Sequence, residues 1–153
     1  MHATRRGFFK YSYEITHKGS RVTDIADIKK EGCDFTAGGH SFRIDRQRDK
    51  RFVLKGSGGD LAVAERKSGK QWTISSSGAS FDLVQKSFWR SDWEVHAGGR
   101  KIGVVKRESG RTSKAELPAD MNKPLQVFAF YMVLTIWSRA DGHFAAVTGG
   151  GGG

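Results

Sequence analysis

Short segments in which hydrophobic and polar residues alternate run from residue 8 to about residue 117. In one of them, Phe42 and Ile44 alternate with Arg43 and Asp45. Alternation with a period of two is typical of a β-sheet that has one buried face and one solvated face. The same pattern recurs at Tyr13 with Ile15, Phe52 with Leu54, Leu61 with Val63, Trp72 with Ile74, Phe81 with Leu83, Trp93 with Val95, and Ile102 with Val104.

Turn sequences that contain glycine separate these segments, mostly at intervals of about ten residues, which is the spacing of antiparallel hairpins rather than βαβ units. Glycine supplies the positive φ that tight hairpins require. The predicted turns lie at Lys18-Gly19, Glu31-Gly32, Gly38-Gly39, Gly58-Gly59, Ser68-Gly69, Ser77-Gly78, Gly98-Gly99 and Ser109-Gly110. For residues 24–30 we prefer a strand to a helical turn, with Val22 and Ile28 packed in the core.

Residues 124–139 form the longest hydrophobic stretch, and they show no polar stripe at the helical period. Asn122 can cap a helix there, Pro124 is tolerated in its first turn, and Asp141-Gly142 should end it. Such a helix would be about 24 Å long, whereas a bilayer core is about 30 Å thick. The stretch is therefore either a core helix or a short membrane helix, because a helix that is apolar all round must be covered on every side.

A long antiparallel sheet tends to close, since closure removes its exposed edges, and a wide barrel must contain something. We therefore predict a mainly β protein, a closed antiparallel barrel of about twelve strands around the central helix. A flexible N-terminus at 1–6, a last short strand at 143–148 and a disordered glycine tail at 149–153 complete the predicted single domain. The predicted core residues of the helix are Val127, Phe128, Phe130, Tyr131, Met132, Leu134, Ile136 and Trp137.

The net charge of +10, from 26 Lys and Arg against 16 Asp and Glu, indicates a polyanionic neighbour: nucleic acid, an anionic membrane face or an acidic protein. We expect Arg43 and Arg51 to lie close together on one hairpin, where their guanidinium groups could share one phosphate. The alternative is a solvated face whose charges pair locally. The predicted anion-binding residues are Arg43, Arg46, Arg48, Lys50, Arg51, Lys55, Arg100, Lys101, Lys106 and Arg107; Arg111, Lys114 and the basic start Arg5, Arg6 and Lys10, beside Phe8 and Phe9, are further candidates.

Catalysis has little support in the sequence. The five histidines are scattered, and neither a nucleophile elbow nor a phosphate-binding loop is present. We therefore expect no enzyme, no metal and no cofactor. The single cysteine, Cys33, excludes an internal disulfide and fits a reducing, cytoplasmic location, and no signal peptide is visible. Single-stranded nucleic acid is a rival partner, with Phe88, Trp89, Arg90 and Trp93 nearest to its aromatic and basic pattern.

Three features resemble the tubby C-terminal-like superfamily, which includes the LURP-one-related proteins and the phospholipid scramblases. They are the many short hairpins, the hydrophobic helix at 125–137 and the brief last strand at about 144–147. The runs Arg43-Ile44-Asp45-Arg46, Phe52-Val53-Leu54 and Trp93-Glu94-Val95 look like strands of that family.

The resemblance covers roughly residues 7–148 and implies a twelve-stranded barrel threaded by the helix. It also implies binding of phosphoinositide or another anionic phospholipid by surface basic residues, at the inner face of the plasma membrane. One branch of the family is associated with lipid scrambling and a membrane-inserted helix, which leaves that alternative open. An unidentified protein is the other candidate partner, and we assume a monomer.

Overall fold

The computed structural model describes residues 1–6, 12–26, 28, 32–48, 50–86 and 91–151, the last eleven by backbone alone. These described residues form twelve antiparallel strands and one helix. The strands are β1 (His2–Arg6), β2 (Ser12–His17), β3 (Ser20–Ile25), β4 (Gly32–Ala37), β5 (His40–Gln47), β6 (Arg51–Gly56), β7 (Gly59–Ser68), β8 (Gln71–Ser76), β9 (Ala79–Val84), β10 (Trp93–Ala97), β11 (Arg100–Arg107) and β12 (Thr112–Glu116). Helix α1 (Lys123–Gly151) follows them.

The sheet is a meander in which strands that follow each other in sequence are paired, except that β3 does not pair with β4. β1 pairs with β12 and so joins the start of the sheet to its end, whereas β3 and β4 occupy the two edges. The sheet curls until β3 and β4 lie side by side. The result is a nearly closed barrel with one seam, between β3 and β4, and the predicted fold class is confirmed.

Helix α1 fills the barrel. Asn122 caps it as predicted, because its Oδ1 accepts a hydrogen bond from the Leu125 N–H at 3.0 Å. The buried Gln126 amide donates to the carbonyls of Pro118, at 3.0 Å, and Met121, at 2.7 Å. The predicted core residues Val127, Phe128, Phe130, Tyr131, Met132, Leu134 and Trp137 are buried, and Ile136 is partly buried.

Most of the interior of the barrel comes from the alternating strand positions that the sequence indicates. Two of the predicted positions are wrong, because Leu61 is 42% exposed and Ile102 is 37% exposed. In β7 and β11 the residues that face inward are instead Ala62, Ala64 and Val105. Ile44, Phe52 and Ile74 point inward and are at most 1% exposed. Phe52 makes an edge-to-face contact with Tyr131 of the helix, with ring centroids 6.0 Å apart. Within the described residues, no helix combines the length and the apolar character needed to cross a membrane.

Both ends of the chain differ from the prediction. Residues 2–6 were expected to be flexible, but they form β1 between β2 and β12, with Ala3 fully buried, because β2 and β12 would otherwise have unpaired edges. The helix was expected to end near Arg139, before a strand at 143–148, yet it continues to Gly151. One interior glycine costs a helix only about 1 kcal/mol, so Gly142 does not end it.

This continuation also includes the first three residues of the predicted glycine tail, and residues 152–153 lie outside the described chain. The twelve strands all precede the helix, so the sheet is complete without a strand after it. Among the predicted turns, Gly32 instead begins β4. A Cβ at Gly32 would lie 2.4 Å from the Ile44 carbonyl oxygen, which explains why this strand position is a glycine.

We expect Leu134→Asp to prevent folding, because it places a carboxylate in the apolar barrel interior. Leu134→Ala should cost about 2–5 kcal/mol in free energy of unfolding. Ala140→Asp, at an exposed position of the same helix, is the matched control and should fold normally. Thermal denaturation of the three variants tests this, and a folded Leu134→Asp with wild-type stability would contradict the buried position of the helix.

Candidate functional site

Four strands that run in the same direction carry an inward-facing arginine within the last three residues of the strand. A buried apolar residue lies two positions before each of these arginines. Side chains two positions apart are on the same face of a strand, so the arginines face the same way as the buried residues. The pairs are Ala3 with Arg5, Ile44 with Arg46, Ala64 with Arg66, and Val105 with Arg107. The arginines therefore lie around one end of the barrel, above its apolar interior.

The helix adds a fifth arginine at this end. The guanidinium carbon of Arg139 lies 5.3 Å from the centroid of the Phe52 ring, and Phe52 is the register partner of Arg46. The indole N–H of Trp137 donates to the Ser91 carbonyl at 2.7 Å and fixes the helix there. We call Arg5, Arg46, Arg66, Arg107 and Arg139 the arginine mouth.

Arg46 and Arg139 form a pair of like charges within the arginine mouth. Partial burial lowers the pKa of Arg139, and the positive charge of Arg46 lowers it further, while Tyr131 acts in the opposite direction. Among the described residues, neither arginine has a carboxylate partner, although Arg139 also contacts the Phe52 ring. A bound anion would relieve this repulsion, which makes the pair the best candidate anion site in the barrel.

A pocket of 390 Å³ lies beside the mouth, at the turn between β5 and β6. Its only carboxylate among the lining residues is Glu65, whose Oε1 lies 3.5 Å from Arg51 Nη1. Arg51 Nε is buried without a hydrogen-bond partner, and Arg48 has no ion-pair partner within the described chain. Lys50, with φ of 59°, belongs to the same turn. The pocket lining, Gln47, Arg48, Arg51, Glu65 and Arg66, thus carries an excess of positive charge.

The first predicted basic cluster is divided between two regions of the barrel. Arg43 lies opposite Lys55 and Arg51 lies opposite Gln47, so the two arginines are four strand positions, or about 13 Å, apart. The prediction that Arg43 and Arg51 share a phosphate is therefore wrong: it depended on where the hairpin turns, and the turn puts them at different levels. The rest of this cluster lies at the same end of the barrel: Arg46 belongs to the mouth, and Arg48, Lys50 and Arg51 lie at the adjoining turn between β5 and β6.

Arg43 and Lys55 are engaged with carboxylates on the outer face. Arg43 Nε donates to Asp45 at 2.5 Å and its Nη1 donates to Asp34 at 3.1 Å, while Lys55 Nζ lies 3.1 Å from Asp45. The hydrogen bonds that Arg43 donates to Asp34 and then to Asp45 raise the pKa of Arg43. Burial acts to raise the pKa of Asp45, but the hydrogen bonds from Lys55 and Arg43 lower it overall. This face matches the alternative interpretation of local charge pairing.

The second predicted cluster is divided as well. Arg100 and Lys101 lie at the opposite end of the barrel, where Lys101 is 3.5 Å from Glu94. Lys106 faces outward opposite Lys114, which itself pairs with Glu116 at 3.2 Å. Arg107 belongs to the mouth, where its guanidinium lies 4.8 Å from the Trp137 ring centroid, and Arg111 lies in the adjoining turn between β11 and β12.

The N-terminal basic group contributes Arg5 to the mouth, whereas Arg6 pairs with Glu14 at 2.9 Å. Lys10, Phe8 and Phe9 lie outside the described residues, as do Phe88, Trp89 and Arg90. Sequence reasoning missed Arg66 and Arg139. The available signal was an apolar residue, one intervening residue and an arginine near the end of a strand. This pattern appears in all four strands named above.

Cys33 and Tyr131 are buried ionisable groups of the core. Burial chiefly raises the pKa of the Cys33 thiol from 9.0 to about 12, and the neighbouring Asp34 adds to this. Burial, followed by the charge of Cys33, raises the pKa of Tyr131. A thiol with so high a pKa is a poor nucleophile. Among the described residues, no three His, Cys, Asp or Glu side chains are grouped so that they could hold a metal.

Comparison with protein-family models, with curated proteins and with solved structures finds no match for this chain. The resemblance to the tubby C-terminal-like superfamily therefore stays a prediction, and the site must be interpreted from its own geometry.

We expect the free energy of unfolding to fall as the pH rises from 9.0 towards 12. The unfolded thiol of Cys33 ionises near 9.0, whereas the folded thiol keeps its proton to about 12, so the folded state binds more protons in this interval. Urea denaturation at neutral pH and within the interval measures the loss. Cys33→Ala should show a shallower dependence on pH, and a slope equal to that of the wild type would contradict the assignment.

Proposed function

We propose that the protein is a non-catalytic binding protein that takes the phosphate groups of anionic phospholipid at the arginine mouth. The observation that carries this proposal is the Arg46–Arg139 pair, which has like charges and no carboxylate partner among the described residues. Arginine suits phosphate because its planar guanidinium group can donate two parallel hydrogen bonds. The net charge of +10 would attract an anionic surface from a distance.

The position of the arginines favours a membrane surface over an isolated phosphate. They surround one end of the barrel and so can face a flat anionic bilayer together. Each basic residue near such a bilayer contributes about 1 kcal/mol at moderate salt. The resemblance to the tubby-like family supports the same ligand class, and with it a cytoplasmic protein at the inner membrane face.

The alternatives have less support. Single-stranded nucleic acid is bound by exposed aromatic side chains, but Trp72, Trp93 and Trp137 are at most 6% exposed and belong to the core. A membrane-inserted, scramblase-like protein would expose its helix to lipid, whereas here the helix is enclosed by the strands.

Binding to vesicles tests the proposal. The wild type should sediment with vesicles that contain phosphoinositide but not with neutral vesicles, and high salt should weaken the binding. Arg46→Gln with Arg139→Gln should weaken it by about fivefold for each arginine, since each contributes about 1 kcal/mol.

Arg43→Gln with Lys55→Gln is the matched control, because it removes the same charge from the ion-paired outer face. This variant should bind more tightly than the mouth variant. Equal losses in the two variants would show that only net charge matters and would contradict the site. Tight binding of a single-stranded oligonucleotide, reduced in the mouth variant, would favour nucleic acid instead.

A further inference from the structure

The seam between β3 and β4 is the one place in the described sheet where two adjacent strands are not paired. These strands follow each other in sequence, yet they form the two edges of the sheet, and no main-chain hydrogen bond joins them among the described residues. A groove of 640 Å³ runs along the seam. Residues from both edges and from the neighbouring β5 line it, including Thr23, Asp24, Asp34, Phe35, Thr36 and Phe42.

The register of β4 shows which of its main-chain groups face the seam. Gly38 and Gly39, with φ of 59° and 80°, form the two-residue turn between β4 and β5, and two positive φ values indicate a type I′ turn. Ala37 and His40, which flank it, are then a hydrogen-bonded pair. Bonded and non-bonded pairs alternate along an antiparallel ladder, so Asp34 and Thr36 do not bond to β5. Their N–H and C=O groups point into the seam.

The β4 edge lacks most of the features that usually prevent an edge strand from pairing with another chain, and Asp34 is its one charged residue. It contains neither lysine nor proline, and its ladder with β5 runs from Gly32 to Ala37 without a bulge. Phe35 of β4 and Phe42 of β5 line the groove, and their rings stack with centroids 5.3 Å apart. Phe35 is buried, whereas Phe42 is partly exposed. An incoming strand would find open hydrogen-bonding groups beside an apolar floor.

Among the described residues, the charges around the groove balance, unlike those of the protein as a whole. Arg21 pairs with Asp24, Arg43 pairs with Asp34 and Asp45, and Lys55 pairs with Asp45, which matches three cations with three carboxylates. The described lining of the groove therefore offers no surplus charge to a phosphate or to an acidic peptide. Its complement is an uncharged segment that bonds through its main chain.

We propose that this seam binds an extended, uncharged peptide segment of a partner protein, which adds as a strand to the open edge of β4. The segment pairs with the main-chain groups of Asp34 and Thr36 and places apolar side chains towards Phe35 and Phe42. The six residues of β4 set its length at about 20 Å. This site is separate from the arginine mouth and does not depend on it.

Thr36→Pro tests the proposal because proline lacks the N–H that faces the seam, while the ladder with β5 does not use that group. Thr36→Val keeps the N–H and is the matched control. The probe is a phage-displayed library of short random linear peptides selected on the wild-type protein. Selected peptides should be uncharged and rich in β-branched and aromatic residues, bind Thr36→Val like the wild type, and bind Thr36→Pro about tenfold more weakly.

Amide hydrogen exchange of the wild type keeps the test independent of whether Thr36→Pro folds. The amides of Asp34 and Thr36 should exchange faster than that of Phe35 in the free protein and slow down when a selected peptide is added. The proposal is overturned if these amides are already as slow as Phe35, if no peptide is enriched, or if the selected peptides bind Thr36→Pro equally well. Selection of acidic peptides whose binding is lost in the mouth variant would also overturn it.

Discussion

The burial of an apolar helix inside the barrel is the interaction on which the rest of the structure depends. A barrel of twelve strands encloses more space than strand side chains alone can fill. An empty lumen would leave the inward-facing side chains without packing partners. The helix fills that space with the side chains from Val127 to Leu134, which are at most 1% exposed, and Thr135 just beyond them is also buried. Its uniform hydrophobicity follows, because inward-facing residues of the sheet contact it on every side.

The same packing explains why the arginines gather at one end. Inward strand positions that face the helix are mostly apolar, with Thr23 and Ser113 as buried exceptions. The inward positions become polar where a strand passes beyond the packed interior into water. In β1, β5, β7 and β11 that first polar position is an arginine. Arginine can cover the apolar rim with its stem and hold its charge in solvent. Arg139 reaches the same rim from the helix, so the repulsion between it and Arg46 is a direct result of closing the barrel.

Sequence reasoning predicts those features that depend on local patterns. The alternation of Phe42 with Ile44 and of Phe52 with Leu54 gives strands, the apolar run after Asn122 gives the helix, and the glycine pairs give turns. The cap at Asn122 is also local, and the structure confirms it. From these elements the barrel and its central helix follow, since few other arrangements bury so apolar a helix.

The other features of the fold and of the site depend on strand register and on pairing between residues far apart in sequence. Local sequence patterns do not indicate either of these. The pairing of β1 with β12 joins residues more than a hundred positions apart, so residues 2–6 read as a free terminus. The proximity of Arg46 to Arg139, like the separation of Arg43 from Arg51, follows from the hairpin register and the helix position. Basic residues that are clustered in sequence are therefore divided in space, and the mouth combines residues from five elements.

Amide hydrogen exchange along the helix tests the central claim, the enclosure of the helix by the barrel, most directly. If the helix is the core, the amides from Leu125 to Trp137 should exchange only through global unfolding, with or without vesicles present. Rapid exchange of these amides in solution, with protection appearing only when anionic vesicles are added, would instead show a helix that leaves the barrel for the membrane.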